Sequence, residues 1–159
     1  MENGMVIGFD EGVAVGSFGI VRNVHADKNV NEGIQGGNNT VVQGCTANNN
    51  SGAYGVLCSG AGCAISGNTV NGNLQAGIDC TSNGCVISNN TAIADGLAGI
   101  SCGGSGCLIS GNTAFNNLVG ITMGDATSGY GGNVMDNNST SNHSGGTSLG
   151  NNLCSGTVC

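Results

Sequence analysis

Residues 55 to 107 repeat themselves. They read GVLCSGAGCAISGNTVNGNLQA, then GIDCTSNGCVISNNTAIADGLA, then GISCGGSGC. Cys58, Cys80 and Cys102 stand 22 residues apart, and Cys63, Cys85 and Cys107 keep the same step. Each unit has a Gly-Val/Ile start, a C-x4-C, an apolar-Ile-Ser step and then Asn-Thr. A period in the twenties with one short apolar run per corner cannot bury its apolar face alone. It does so by stacking on the next unit, which is a solenoid.

The register extends in both directions. Rungs start at Gly12, Gly33, Gly55, Gly77, Gly99 and Gly120, at steps of 21 or 22 residues. Met5, Val6 and Ile7 form the apolar segment of an earlier coil, and after about Asn142 the pattern loosens. Within a rung, apolar residues alternate with period two in runs of two to four, too short for helices. In the third rung Val56, Cys58, Cys63 and Ile65 point inward and Leu57 outward. Gly and Asn at the bends supply positive φ at low steric cost. The expectation is an all-β, single-stranded, right-handed parallel β-helix of about six to seven coils of 21–22 residues. One domain covers residues 1–159, with coils over 4–142 and a C-terminal tail with a disulfide loop over 143–159.

Stacking turns each rung position into a column at ~4.8 Å per step. One core column reads Val13, Ile34, Val56, Ile78, Ile100, Ile121. A second reads Val21, Val42, Ile65, Ile87, Ile109, Tyr130. A bend column reads Val24, Cys45, Asn68, Asn90, Asn112, Asn133. Its last four members are expected to form an internal ladder, each amide bonding the rungs above and below. Asn also suits a tight turn for its own sake.

Composition narrows the function classes. Gly is 32 of 159 residues and Pro is absent, yet the apolar content of 38% recurs at fixed spacing, which argues against disorder. The net charge is −7 with two cations, Arg22 and Lys28. Nucleic acid and anionic membrane surfaces need several cations, so neither is an expected partner. No run of ~20 apolar residues offers a membrane span, and the start MENGMVIGF has no signal-peptide pattern. Nine cysteines in so short a chain suit an oxidising compartment. The reading is a secreted or cell-surface protein whose signal peptide is not part of this sequence.

The stacked "G-I-x-C … G-C-x-I-S-G-N-T" rungs resemble the parallel β-helix repeats of the pectate-lyase-like superfamily, over about residues 4 to 142. That superfamily spans pectate lyases, polygalacturonases, alginate epimerases, phage tailspikes and adhesins. The resemblance implies a fold more than an activity. Superfamily lyases cluster carboxylates for Ca²⁺ beside Arg or Lys on an outer strand face, and its hydrolases cluster two or three Asp there. The matching outward column here reads Ala14, Gln35, Leu57, Asp79, Ser101, Thr122. Glycosidic acid–base chemistry needs two carboxylates, or a base with charge neutralisation. One carboxylate and no cation supply neither, so no catalytic residue, cofactor or metal ligand is carried over.

Eight cysteines fall into four C-x4-C pairs. Zinc ligation, an iron–sulfur string and disulfides are all open to such pairs. The odd number in each column and the isolated last pair favour disulfides Cys58–Cys63, Cys80–Cys85, Cys102–Cys107 and Cys154–Cys159. Cys45 then remains a free thiol, expected to pack as a small buried hydrophobe rather than act as a nucleophile.

The remaining polar candidates are few. Asp10, Glu11, Arg22, His25, Asp27, Lys28 and Glu32 form the one mixed-charge cluster. Arg22, His25 and Asp27 are a weak candidate for a polysaccharide or cation site, against a solvated end where charge discourages edge pairing. Asp125 and Asp136 are isolated, and the Asn-x-Ser/Thr sequons at Asn38, Asn49, Asn89, Asn137, Asn138 and Asn142 follow from composition.

The function expected is that of a non-catalytic extracellular scaffold, adhesin or carbohydrate-contacting module. A fragment of a polysaccharide lyase, hydrolase or epimerase, and a self-assembling fibre subunit, are the alternatives. Possible partners are a polysaccharide or further copies of the chain, through a lateral or end face. The end face is the first coil, which nothing before Met5 covers. The lateral face is an outward apolar stripe of Ile20, Val41, Ala64, Val86 and Leu108, joined by Ile93 and Phe115. It is an assembly surface unless residues 143–153 cover it.

Overall fold

The computed structural model describes all residues, 1–159, and contains strands and turns with no helix. It is a parallel β-solenoid of about seven turns. The first face is a sheet of seven strands: Val13–Val15, Ile34–Gly36, Val56–Cys58, Ile78–Cys80, Ala98–Cys102, Val119–Met123 and Ser141–Ser144. The second face begins with the first half of Ile20–Asp27. It continues through Val41–Gln43, Ala64–Ser66, Val86–Ser88, Leu108–Ser110, Gly129–Gly131 and Thr147–Ser148. The third face takes Glu2–Ile7, the second half of Ile20–Asp27, Thr46–Asn48, Thr69–Asn71, Thr91–Ile93, Thr113–Phe115, Val134–Asp136 and Leu153–Cys154. Every pairing between rungs is parallel, with the register one rung apart: Val56 lies between Ile34 and Ile78, and Ile87 between Ile65 and Ile109.

The core is the set of inward columns. Ile34, Val56, Ile78 and Ile100 from the first face meet Val42, Ile65, Ile87 and Ile109 from the second, all at 0–1% exposure. Ala26, Ala47, Val70, Ala92 and Ala114 close the third side. Branched aliphatics suit this interior because a pleated, fully covered strand packs them well. The corners explain the short strands. Asn23, Asn89 and the glycines 44, 67, 111 and 132 hold positive φ before the first bend column, and Asn49, Asn116 and Asn137 do so at the next corner. The rung-start glycines have a different reason. A Cβ on Gly55 would lie 2.7 Å from the Gly77 carbonyl oxygen, and one on Gly99 would lie 2.9 Å from that of Gly120. Neighbouring rungs approach too closely there for any side chain.

Leu57 stands in the outward column with Asp79 but is buried all the same. The pairing also runs past Asn142. His143 stacks on Ile121, Ser148 on Tyr130 and Leu153 on Val134, so residues 141–154 form a further coil. Thr157–Val158 then turns back antiparallel on Leu153–Cys154 and covers that strand's edge. At the other end Glu2–Ile7 stacks on Arg22–Asp27 as one more rung and leaves its far edge open, with Met5 and Ile7 exposed.

Candidate functional site

A groove runs along the first face. Residues of the corner between the third and first faces, with the first residues of the strands that follow, make one wall, and the outward column makes the floor. Ala76, Leu97, Ala98, Leu118 and Val119 line the wall, and Asp79, Ser101 and Thr122 the floor, with Tyr54 and Gln75 at one end. The groove encloses about 290 Å³. Leu97 and Leu118 are exposed while Ala76, Ala98 and Asp79 are buried, so the apolar shelf faces solvent above a recessed polar floor.

Asp79 is the only carboxyl lining the groove. Burial raises its pKa above the ordinary aspartate range, and the hydroxyl of Ser101, one rung on, partly offsets this. Tyr54 is raised too, first by burial and then by the charges of Asp79 and Glu32. No cation lines the groove. Arg22 instead pairs with Glu2 at 3.4 Å and Lys28 with Asp27 at 3.5 Å. A single carboxyl without a charge-neutralising partner does not make a general acid–base pair. The arrangement suits binding: a few converging polar groups beside an apolar surface.

The other candidates lie elsewhere. Arg22 bonds Glu2 and Gln43, His25 bonds the Thr46 hydroxyl, and Asp27 accepts from Asn49 at 3.0 Å. The three share one strand but engage separate partners. The C-x4-C pairs are four disulfides within single rungs: Cys58–Cys63, Cys80–Cys85, Cys102–Cys107 and Cys154–Cys159. The sulfurs of Cys58, Cys80 and Cys85 lie within 4.8 Å of one another, but in disulfide form they carry no thiolate for a metal. Four disulfides fit an oxidising, extracellular environment. Cys45 is free and buried; burial pushes its thiol up, and its sulfur accepts from the Val24 amide and donates to the Gln43 carbonyl at 3.3 Å.

Asn68, Asn90, Asn112 and Asn133 form a continuous buried ladder. Each Oδ1 accepts the backbone and side-chain amides of the previous Asn, at 2.8–3.1 Å, save that Asn68 at the head receives only the Cys45 backbone N–H. Asn152 extends it by one more step. A second ladder runs down the next corner through Asn29, Asn50, Asn73, Asp95, Asn117 and Asn138. The sequence reading missed it, although its steps of 21–23 residues were there to find. In the stripe, Ile20, Ala64, Val86 and Leu108 are exposed and Val41 half-buried, with Phe115 exposed and Ile93 half-buried on the third face. Residues 147–148 stack at the end of this stripe rather than across it.

Among known proteins, no family model, no curated protein and no solved structure matches the chain.

Proposed function

We propose that this chain is a non-catalytic, secreted carbohydrate-contacting module, related to the pectate-lyase-like solenoids, that holds a neutral sugar chain along the groove of its first face. The groove carries the reading. Sugars present hydroxyls at their edges and C–H groups on their faces, and Leu97, Leu118 and Val119 offer an apolar shelf over Asp79, Ser101 and Thr122. The charge favours a neutral ligand over a uronic-acid polymer. The net charge is −7, and both cations are engaged away from the groove. The rung motif supports the kinship, and the single groove carboxyl supports binding without cleavage.

The test is a glycan array on the oxidised protein, followed by Asp79→Ala and Leu118→Ala variants on whatever glycan is retained. Retention of a neutral oligosaccharide, weakened about five- to thirtyfold by either change, is expected, the loss of one buried polar contact or one apolar contact being worth roughly 1–2 kcal/mol. An array with no retained glycan overturns the reading, and so does undiminished binding by both variants.

A further inference from the structure

The second ladder contains one residue of the wrong chemistry. Asn73 and Asn117 each use Oδ1 to accept from the preceding rung, and Nδ2 to donate both to the next rung's Oδ1 or carboxyl oxygen and to a strand carbonyl. Asp95 stands between them. Its Oδ1 does what an Asn Oδ1 does, accepting the backbone and side-chain N–H of Asn73 at 2.9 Å each. Its Oδ2 occupies the place of the amide nitrogen. That oxygen lies against Gly77 as the Asn73 Nδ2 lies against Gly55 and the Asn117 Nδ2 against Gly99. It is buried and has no hydrogen-bond partner. The groups that receive the amide at other rungs correspond here to Asn117 Oδ1 and the Val70 carbonyl, both acceptors. A carboxylate would set a charged oxygen against two acceptors in a dry corner, whereas a carboxylic acid has a proton to donate.

The same corner breaks a second local rule. Ala94 holds φ +55°, where the equivalent positions carry Asn49, Gly72, Asn116 and Asn137 and, in the first coil, Lys28. Two adjacent departures from the repeat mark a site under some constraint other than stability. The next residues, Leu97 and Ala98, belong to the groove wall, and the Gly96 and Leu97 amides bond the rung before.

We propose that Asp95 is a proton-operated latch of the groove wall: protonated, its Oδ2 completes the ladder and holds the 94–98 corner in place; ionised, it opens the ladder there and loosens the wall. The consequence for a ligand rests on the groove reading above, but the latch itself does not.

The surroundings leave the proton as the main variable. Asn73 and Asn117 flank Asp95 in the ladder and the Gly77 backbone faces it, and all three are neutral. The titratable groups of the groove, Asp79 on its floor and Tyr54 at its end, line the groove and not the ladder. Arg22 and Lys28 are paired with Glu2 and Asp27. Burial pushes the Asp95 pKa up to about 7, against the two bonds from Asn73. The sign follows from a folded value above the unfolded one. The corner is intact below the ordinary aspartate range and loses stability as pH rises towards about 7.

Hydrogen exchange on the folded, oxidised protein at pH 5 and pH 8 tests this, with Asp95→Asn as reference. The variant restores an amide and is expected to keep the same protection factors at both pH values. In the native chain, protection of the Gly96 and Leu97 amides is expected to fall roughly a hundredfold more than in the variant between pH 5 and pH 8, about tenfold per unit up to about pH 7 and no further above it. Equal pH response of the two proteins overturns the latch, whatever a glycan array finds. Should the variant not fold, carboxyl NMR of the native protein decides: an Asp95 midpoint near 7 supports the latch and one near the ordinary aspartate value overturns it. A protein that shows this pH response but retains no glycan keeps the latch and loses the groove reading.

Discussion

Replacing Asn90 with Ala tests whether the ladder holds the rungs together. Asn90 Oδ1 accepts the Asn68 backbone N–H at 2.9 Å and its side-chain amide at 3.0 Å, and Asn90 Nδ2 donates to the Ile65 carbonyl and to Asn112 Oδ1, both at 3.0 Å. The losses are unequal. The Asn68 side chain still reaches the Val42 carbonyl at 3.0 Å, and Asn112 Oδ1 still accepts the backbone N–H of residue 90 at 2.8 Å. The Asn68 N–H is left with nothing. One orphaned buried donor costs about 1–3 kcal/mol, and the three weakened bonds add about 0.5–1.5 kcal/mol each. A water entering the vacated space recovers part of this. The expected loss is therefore about 3–5 kcal/mol, large for one substitution. Urea unfolding of the oxidised protein with linear extrapolation measures it, with Asn71→Ala as control. Asn71 is exposed and makes no side-chain bond, so its loss should stay within about 0.5 kcal/mol. A cost below about 1 kcal/mol for Asn90→Ala, at unchanged m-value, refutes the argument.

Two further outcomes follow from backbone and sulfur. Ala94→Gly relieves a left-handed φ at an exposed position and should raise stability by about 0.5–1 kcal/mol; a lowered urea midpoint would count against strain at that corner. Titration of the unfolded, unreduced chain with a thiol reagent should find one reactive group, Cys45, which in the native protein reacts slowly because it is buried and its thiol pKa is raised; several reactive groups would contradict the four disulfides.

The fold was legible because its period is written twice over, in cysteines and in aliphatics. Val56, Ile78 and Ile100 recur at a fixed step, and a one-residue slip would turn each of them out to water. The first ladder was legible because Asn68, Asn90 and Asn112 sit between inward apolar residues. The second was harder to see. Asn29, Asn50 and Asn73 stand among many other Asn, and Asp95 interrupts the series with a residue that usually marks solvent. The groove was not legible. Asp79 and Leu57 read as outward, yet both are buried, Asp79 beside corner residues of the neighbouring rungs. Leu97, Leu118 and Tyr54 lie in turns, where period-two alternation says nothing about which way a side chain leans. The end of the coils was set too early for a related reason. Ser141, His143 and Ser148 continue the sheets by backbone pairing alone, without the apolar alternation that announces a strand.

The column of rung-start glycines bears on how such a chain changes length. Because Gly55, Gly77 and Gly99 present bare backbone to the rung that follows, each rung meets its neighbour through the same surface, whichever neighbour it is. A 22-residue block running from one such glycine to the next is thus an interchangeable part. Duplicating residues 55–76 in frame would lay a new coil between two surfaces that already accept it, and would carry a disulfide, a step of each Asn ladder and a length of groove wall along with it. A block whose length departs from the rung period would shift every later ladder Asn off its corner. The glycine column is therefore where gene duplication and deletion can act on this protein with least harm, and where an engineer wishing to lengthen the groove should cut.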